Sequence, residues 1–276
     1  MELKTLLEQP AVLPSLPRVV ALLLNELGRE EPNLRRTTQL LGADPALAAR
    51  VLECANSAEF GQSGKIAGLA EALVLLDTAQ LRALVGSAPL GSTSRSVPGV
   101  DLQQFWRTSL NAARLARSLA GLVHQPQAGA YTAGLLHFLG ELVIHLAMPE
   151  RTQSLNTLVS PVDLRRAKLE QRILGYAYGQ VGAALARRWG LPAFVVDAIG
   201  WQHTPFDNQL YEPLAGVVHL AAWRARAIEA GLGEREMAVN FPDQVGLALG
   251  LDIDMVLQQD PIDWTARPDL DEPLGD

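Results

Sequence analysis

The residues best suited to chemistry lie in one apolar stretch, GLLHFLGELV, from Gly134 to Val143. On a helix, His137 and Glu141 are four residues apart and share a face that can ligate a divalent metal ion, whereas His145 drifts to the edge of that face. Two ligands do not make a hydrolytic centre, because the ion also needs carboxylates that offset its charge and fix a water molecule. Since Asp and Glu are scarce around these histidines, the spacing favours His137 as a core histidine.

A second candidate site residue is His203, in the segment WQHTP. It follows a predicted helix, and the helix dipole favours a cationic imidazole at that end. The alternative is that His203 lines a pocket together with His137. Two tryptophans near it in the sequence, Trp189 and Trp201, are predicted to be packing anchors rather than surfaces on which a ligand stacks.

The elements that must position these residues are helices. Apolar residues recur at helical spacing along nearly the whole chain, and no alternating stretch bounded by a hairpin dipeptide predicts a strand, so we predict an all-α fold. One helix is predicted to start with Asp44 as its cap and Pro45 at its first position. Another is predicted to begin at Pro161, with Ser160 as its cap and Asp163 in a capping box.

Composition and charge exclude several functional classes. The net charge of the 276-residue chain is −7, which argues against a large phosphate-binding surface and hence against a nucleic-acid partner. The basic segments DLRRAK and ALARRW are separate, and like AAWRARAIEAGLGERE they are interpreted as solvent-facing helix faces. A single cysteine, Cys54, excludes an internal disulfide and multi-cysteine metal sites. Neither a secretory signal nor an apolar run of roughly 18 residues is found, so we expect a cytoplasmic protein that does not cross a membrane.

One change in composition divides the chain. The stretch PLGSTSRSVPGVD, from Pro89 to Asp101, is rich in Ser, Gly and Pro and is typical of a junction. We therefore predict an N-terminal helical subdomain over residues 1–92 and a larger helical subdomain over residues 93–276. The larger one ends in an acidic, proline-rich tail that we expect to be partly flexible.

Six segments follow one another in the order and spacing of HDOD domains, the HD-related output domains of bacterial signalling proteins. They are LPSLPRVVALLLNEL, LLGADPALAARVLECANSAEFG, FWRTSLNAARLARSLA, AGLLHFLGELVI, GQVGAALARRWGLPAFVVDAI and WQHTP. The chain resembles this family over residues 13–219. The resemblance implies an N-terminal helical bundle that packs on a degenerate HD-like helical domain.

The resemblance also implies which positions correspond to the metal site of HD phosphohydrolases. Those enzymes place a histidine on one helix, a His-Asp pair on a second and an aspartate on a later helix, and the metal ions held there activate water. In this chain only His137 and His203 remain at matching positions. The other aligned positions hold Thr108 for the first histidine, Phe138 for the aspartate of the pair, Tyr178 for a further histidine and Ala222 for the last aspartate.

The loss of every carboxylate decides the functional expectation. Only neutral imidazoles would offset the charge of a dication, and a metal-bound water would have no general base. We therefore expect no enzymatic activity, metal or cofactor, but an output or adaptor module that binds another signalling protein through an exposed apolar patch near the junction. Two alternatives stay open: a residual metal-dependent phosphohydrolase or phosphodiesterase with His137, Glu141 and His203 as ligands, or a sensor that binds a nucleotide or other small molecule in the degenerate pocket.

Overall fold

A computed structural model of the protein describes residues 1–9, 12–90, 97–206 and 212–258. Within these ranges the fold is all-α, as predicted, and the one β-type pairing is an isolated bridge between Ser15 and Leu90. A 3-10 turn covers Ala58–Phe60. The α-helices are α1 (Leu3–Glu8), α2 (Pro17–Leu27), α3 (Leu34–Gly42), α4 (Pro45–Ala55), α5 (Leu69–Leu75), α6 (Thr78–Gly86), α7 (Leu102–Leu122), α8 (Gln127–Leu136), α9 (Leu139–Ala147), α10 (Pro149–Asn156), α11 (Arg166–Leu174), α12 (Tyr178–Arg188), α13 (Ala193–Trp201), α14 (Pro213–Glu229), α15 (Glu234–Asn240), α16 (Asp243–Leu249) and α17 (Ile253–Gln258).

Asp44 caps α4, as predicted. Its Oδ1 accepts hydrogen bonds from the backbone N–H groups of Ala46 (2.9 Å) and Leu47 (3.0 Å), two of the donors that a helix start leaves without partners. Its Oδ2 accepts a third from the N–H of Leu16 at 2.7 Å, which ties the start of α2 to α4. Because Asp44 is fully buried, desolvation raises its pKa to about 6.

The predicted helix start at Pro161 is wrong. Helix α11 begins at Arg166, and the residues before it form turns. Asp163 does not cap a helix, because its carboxylate accepts hydrogen bonds from the backbone N–H of Arg165 (2.8 Å) and from the guanidinium of the same residue (3.1 and 2.9 Å). That interaction closes a turn, and the chain becomes helical only after it.

The stretch GLLHFLGELV is not one continuous helix. Helix α8 ends at Leu136 and α9 begins at Leu139, with a turn at His137 and Phe138. The imidazole Nδ1 of His137 donates to the carbonyl of Gly134 at 2.6 Å. This carbonyl is the one that the N–H of Phe138 would bind in an unbroken helix, so the histidine ring competes with the backbone at the break.

The apolar segment Gln127–Ala147, which contains this break, has the length and mean hydropathy (1.3) of a membrane-spanning helix, but 83% of its most apolar window is buried inside the fold. It is the central element of the larger helical region, in which α7 packs on α8 and α14, and α12 packs on α9 and α13. Glycine at position 140 permits the close approach of α9 to α12, because a Cβ atom there would lie 2.0 Å from the carbonyl oxygen of Tyr178. This contact brings the start of α9 against the start of α12.

The N-terminal helices join the larger region through hydrogen bonds and helix packing. The Thr132 hydroxyl donates to the carbonyl of Ala67 at 2.5 Å, and the N–H of Gly64 donates to the carbonyl of Gly190 at 2.9 Å. Helix α1 lies on α12. Of the predicted junction, residues 91–96 lie outside the described residues, and so does the acidic tail from residue 259 onward.

Candidate functional site

The aligned HD positions lie around a stack of aromatic rings. Phe138 stacks on Phe105 of α7, with ring centroids 4.3 Å apart and planes at 12°. Its other neighbours are the ring of His137 at 5.6 Å and the edge of Tyr178 at 5.1 Å, and Tyr178 in turn meets His203 at 4.6 Å. The ring of Phe138 is completely buried at the centre of this stack.

A buried guanidinium lies on these rings. The Cζ atom of Arg226 is 4.4 Å from the ring centroid of Phe138 and 4.9 Å from that of Tyr178, the geometry of a cation–π contact. Its helix was predicted to face solvent, and that prediction is wrong: Arg224 and Arg226 are each only 4% exposed. The reason is that α14 packs on α7, α8, α13 and α16 at once, so that it has no broad solvent-facing side.

The histidines of this region are neutral. Burial and the positive charge of Arg226 lower the pKa of His137 to about 3, although its hydrogen bond to Gly134 opposes the shift. Burial, Arg226 and the neighbouring His219 and His137 likewise hold the pKa of His203 well below its usual value. The predicted cationic imidazole of His203 is therefore wrong, because desolvation outweighs the helix dipole.

A cavity of about 260 Å³ opens beside Arg226, between the start of α12, the end of α13 and the middle of α14. Ala222 has a small side chain where an aspartate was expected, and it leaves part of this space open. Thr108 is not at its wall; its hydroxyl donates to the carbonyl of Gln104 within α7 at 2.8 Å. The residues that line the cavity are Leu164, Tyr178, Gln202, His203, His219, Ala222, Trp223, Arg226, Asn240 and Pro242.

Glu141 belongs to a different cluster, which sequence reasoning missed. Its Oε1 lies 2.8 Å from Nη2 of Arg166 and 3.1 Å from Nε2 of His145, and all three side chains are fully buried. No hydrogen bond or ion pair joins Glu141 to His137 or His203 in the part of the chain that the structure describes. His145, predicted at the edge of the face, is thus the actual neighbour of Glu141.

Arg166 is the centre of this second cluster. Its Nε donates to Oε1 of Glu170 at 2.9 Å, and its Nη1 donates to Oδ1 of Asn156 and to the carbonyl of Val159. Burial and the neighbouring Glu141 raise the pKa of Glu170 well above its usual value. Burial lowers the pKa of His145 to about 4. Nothing in the sequence DLRRAK distinguishes the buried Arg166 from the exposed Arg165 beside it.

The residues present do not fit the metal ions of an HD site. Among the described residues, no group of three His, Cys, Asp or Glu side chains could hold a metal ion. Phe138 places a ring where the resemblance puts a carboxylate ligand, and Arg226 adds a fixed positive charge that repels a dication. The set of His137, Glu141 and His203 is therefore not assembled as a ligand shell.

A groove with a volume of about 970 Å³ lies along α11, α12 and α13. It brings together the two basic segments that the sequence suggested were separate, which corrects that prediction. Trp201, predicted as a packing anchor, is 38% exposed and lines the groove, because it is the last residue of α13. The charged side chains at the groove are Arg165, Lys168, Arg172, Arg187 and Asp197.

Comparisons with known proteins agree with this architecture. An uncharacterized protein of Treponema pallidum (strain Nichols) is 27% identical over 220 residues, which are 79% of this chain and 43% of that protein. The chain spans less than half the length of the curated relatives it matches.

Two solved structures share the fold. The MmoQ response regulator of Methylococcus capsulatus has a TM-score of 0.70 at 23% identity, with 90% of this chain and 97% of that chain covered. A protein of Shewanella amazonensis, whose name provisionally assigns it to the phosphohydrolases, has a TM-score of 0.53 at 27% identity, with 93% and 92% covered. The family model of the HDOD domain matches residues 13–205, and the chain therefore belongs to the HDOD domain family.

Proposed function

We propose that this chain is a non-catalytic signal-transduction module that acts in the cytoplasm by binding another signalling protein. The observation that carries the proposal is the position of Arg226. Its guanidinium lies on Phe138 and Tyr178, two of the positions aligned with the HD metal site. A fixed cation with aromatic neighbours offers neither ligands for a metal ion nor a base for a water molecule.

The groove along α11 to α13 supports a protein partner. Its floor includes the buried side chains of Ala167, Ala183 and Val196, and Trp201 is exposed at its edge. Buried apolar floors and exposed tryptophans are features of protein interfaces. The groove has four basic side chains against one acidic side chain, whereas the whole chain has a net charge of −7. Charge complementarity therefore favours an acidic segment of the partner.

Affinity capture from a native cytoplasmic extract tests this proposal when it compares matched variants. The double variant Lys168→Glu/Arg172→Glu reverses two charges in the groove. The control Arg35→Glu/Arg82→Glu changes the net charge by the same amount at exposed positions of α3 and α6. We expect one partner to be captured by the wild type and the control but lost with the groove variant. Loss of the partner on nuclease treatment would instead indicate a nucleic acid and overturn the proposal.

The hydrolase alternative is tested separately. That alternative is supported by the similarity to the Shewanella protein, whose name assigns it to the phosphohydrolases. Elemental analysis of protein purified without chelator, together with phosphodiesterase and phosphomonoesterase assays, distinguishes the two. Stoichiometric metal with turnover that is lost in His137→Ala would refute the non-catalytic proposal. We expect neither metal nor turnover.

A further inference from the structure

The cavity beside Arg226 contains a buried positive charge that no carboxylate of the described residues neutralises. Arg226 is 4% exposed, and within the described ranges no carboxylate lies within ion-pair distance of it. Its Nε and Nη2 atoms are buried and have no hydrogen-bond partner among the residues that the structure describes. A buried charge in this state is costly unless something else compensates it.

Asp163, a carboxylate close enough to Arg226 for that charge to lower its pKa, is engaged elsewhere. Arg226 contributes to the lowered pKa of Asp163, but the first cause is the hydrogen-bonded guanidinium of Arg165. Both carboxylate oxygens of Asp163 lie within hydrogen-bond distance of that guanidinium. Arg226 thus needs an anion that comes from outside the described chain.

Other polar atoms at the same cavity also lack partners. The hydroxyl of Tyr178 and the Nε2 of His203 are buried and line the cavity, and neither has a well-aligned hydrogen bond to a described residue. Burial raises the pKa of the Tyr178 hydroxyl, and the nearby Arg226 guanidinium opposes that shift. The guanidinium and the hydroxyl are donors, and a neutral imidazole with its proton on Nε2 is a third. Gln202 adds one free acceptor, Oε1, because its Nε2 already donates to the carbonyls of His137 and Ile199.

This combination selects the chemistry of the ligand. A guanidinium pairs with carboxylates and with phosphates, and the oxygens of either group can accept hydrogen bonds from three donor side chains. The free acceptor of Gln202 calls for an O–H group, which a singly protonated phosphate has and a carboxylate lacks. The cavity of about 260 Å³ is smaller than the 300–1,000 Å³ typical of pockets for drug-sized ligands, so it excludes a fully enclosed dinucleotide.

We infer that this cavity is a binding site for the phosphoryl group of a small ligand, with Arg226 as the counter-ion and Tyr178 and His203 as further donors. Arg226 takes the electrostatic role that a metal ion has in an HD site, but it binds the oxyanion without activating a water molecule. The inference does not depend on a protein partner.

Calorimetric titration and thermal unfolding of the full chain test this site. The probes are inorganic phosphate, glycerol 3-phosphate and acetate, each compared with potassium chloride at equal ionic strength. We expect saturable binding of phosphate or of the ester and a rise in Tm, since a ligand that binds only the folded state stabilises it. Tighter binding of the ester would assign the site to an organic phosphate, and equal binding would assign it to free phosphate. Acetate that binds as tightly as phosphate would overturn the phosphoryl assignment.

Variants locate the binding. Arg226→Met removes the counter-ion and should weaken phosphate binding by at least about tenfold. Tyr178→Phe removes one hydroxyl, keeps the ring, and should weaken binding about threefold to tenfold. It carries the test if Arg226→Met does not fold. The control Arg82→Met, at an exposed position of α6, should bind like the wild type. A wild type that shows no saturable binding, or variants that all bind equally, would overturn the inference.

Discussion

Two buried arginines of the larger helical region have opposite surroundings. Arg166 lies among Glu141, Glu170 and Asn156, and each of its three nitrogens has a hydrogen-bond or ion-pair partner. Arg226 lies on aromatic rings, and its Nε and Nη2 have no partner among the described residues. The two side chains are equally deep in the fold, at 0% and 4% exposure.

The difference separates a structural charge from a binding charge. The Arg166 cluster joins α9, α11 and the start of α12, because Glu170 also accepts a hydrogen bond from the backbone N–H of Tyr178 at 2.8 Å. It is complete without a ligand. The Arg226 region has an uncompensated charge beside a cavity, which is the arrangement that an anionic ligand would complete. The same residue type therefore stabilises one region and leaves the other dependent on what binds.

The largest expected effect comes from Arg166→Met. The change leaves Glu141 and Glu170 buried without their cation, and the loss of one partner from a buried ion pair costs about 3–5 kcal/mol. Urea unfolding at pH 7 measures it. The neighbouring Arg165→Met is the control, because Arg165 is 75% exposed and solvent screens its ion pair with Asp163, so its effect on stability should be much smaller. An equally small cost for Arg166→Met would show that the cluster is not structural.

A pH titration of stability tests the neutral histidine of the same cluster. The pKa of His145 is lowered from 6.5 to about 4, so the unfolded chain binds the proton first, and stability present above pH 6.5 is lost as the pH falls towards 4. At 1.36 kcal/mol per unit, the loss is up to about 3 kcal/mol. The raised pKa of Glu170 changes stability with pH in the opposite direction. The wild type and His145→Gln both contain Glu170, so a comparison of the two proteins isolates the contribution of His145. Parallel pH profiles of the two proteins would exclude a buried neutral His145.

Arg226→Met should act in the opposite direction from Arg166→Met. It replaces an uncompensated buried charge with an apolar side chain of similar length, and we expect the ligand-free protein to gain about 1–2 kcal/mol in the free energy of unfolding. Urea unfolding in a phosphate-free buffer measures the gain. A loss of about 2 kcal/mol or more would mean that the contacts with Phe138 and Tyr178 compensate the charge, and the contrast between the two arginines would then fail.

The smallest effects come from one matched truncation in each region. Asn156→Ala should cost about 1–2 kcal/mol, because it removes the acceptor for Arg166 and the donor to the carbonyl of Gly99. Tyr178→Phe removes a buried hydroxyl that has no well-aligned hydrogen bond to the described residues, so its effect on ligand-free stability should be below about 0.5 kcal/mol. When both variants are measured side by side, Asn156→Ala should lose more of the free energy of unfolding than Tyr178→Phe. The reverse order would mean that the Tyr178 hydroxyl is bonded in the ligand-free protein.

Local sequence patterns predicted the helices more reliably than the contacts of the candidate site. The helical periodicity and the cap at Asp44 depend on neighbours within one turn, and the structure has both. The start of α11 was predicted wrongly because Asp163 binds Arg165 instead of capping a helix. Both partners are close to Asp163 in the sequence, and the sequence pattern does not show which of them it binds. The break at His137 was also not predicted, because helical periodicity carries no information about whether an imidazole binds a backbone carbonyl of its own helix.

The sequence by itself determined the all-α class, the HDOD resemblance and the absence of carboxylates at the aligned positions, because these follow from residue identity and spacing along one chain. Only the tertiary structure decided that Glu141 pairs with Arg166, and that Arg226 lies on Phe138 and Tyr178. Both arginines occur in polar stretches that resemble exposed helix faces. Their burial depends on how α9, α11, α12 and α14 pack, and long-range packing sets the dielectric environment and the counter-charge of each guanidinium.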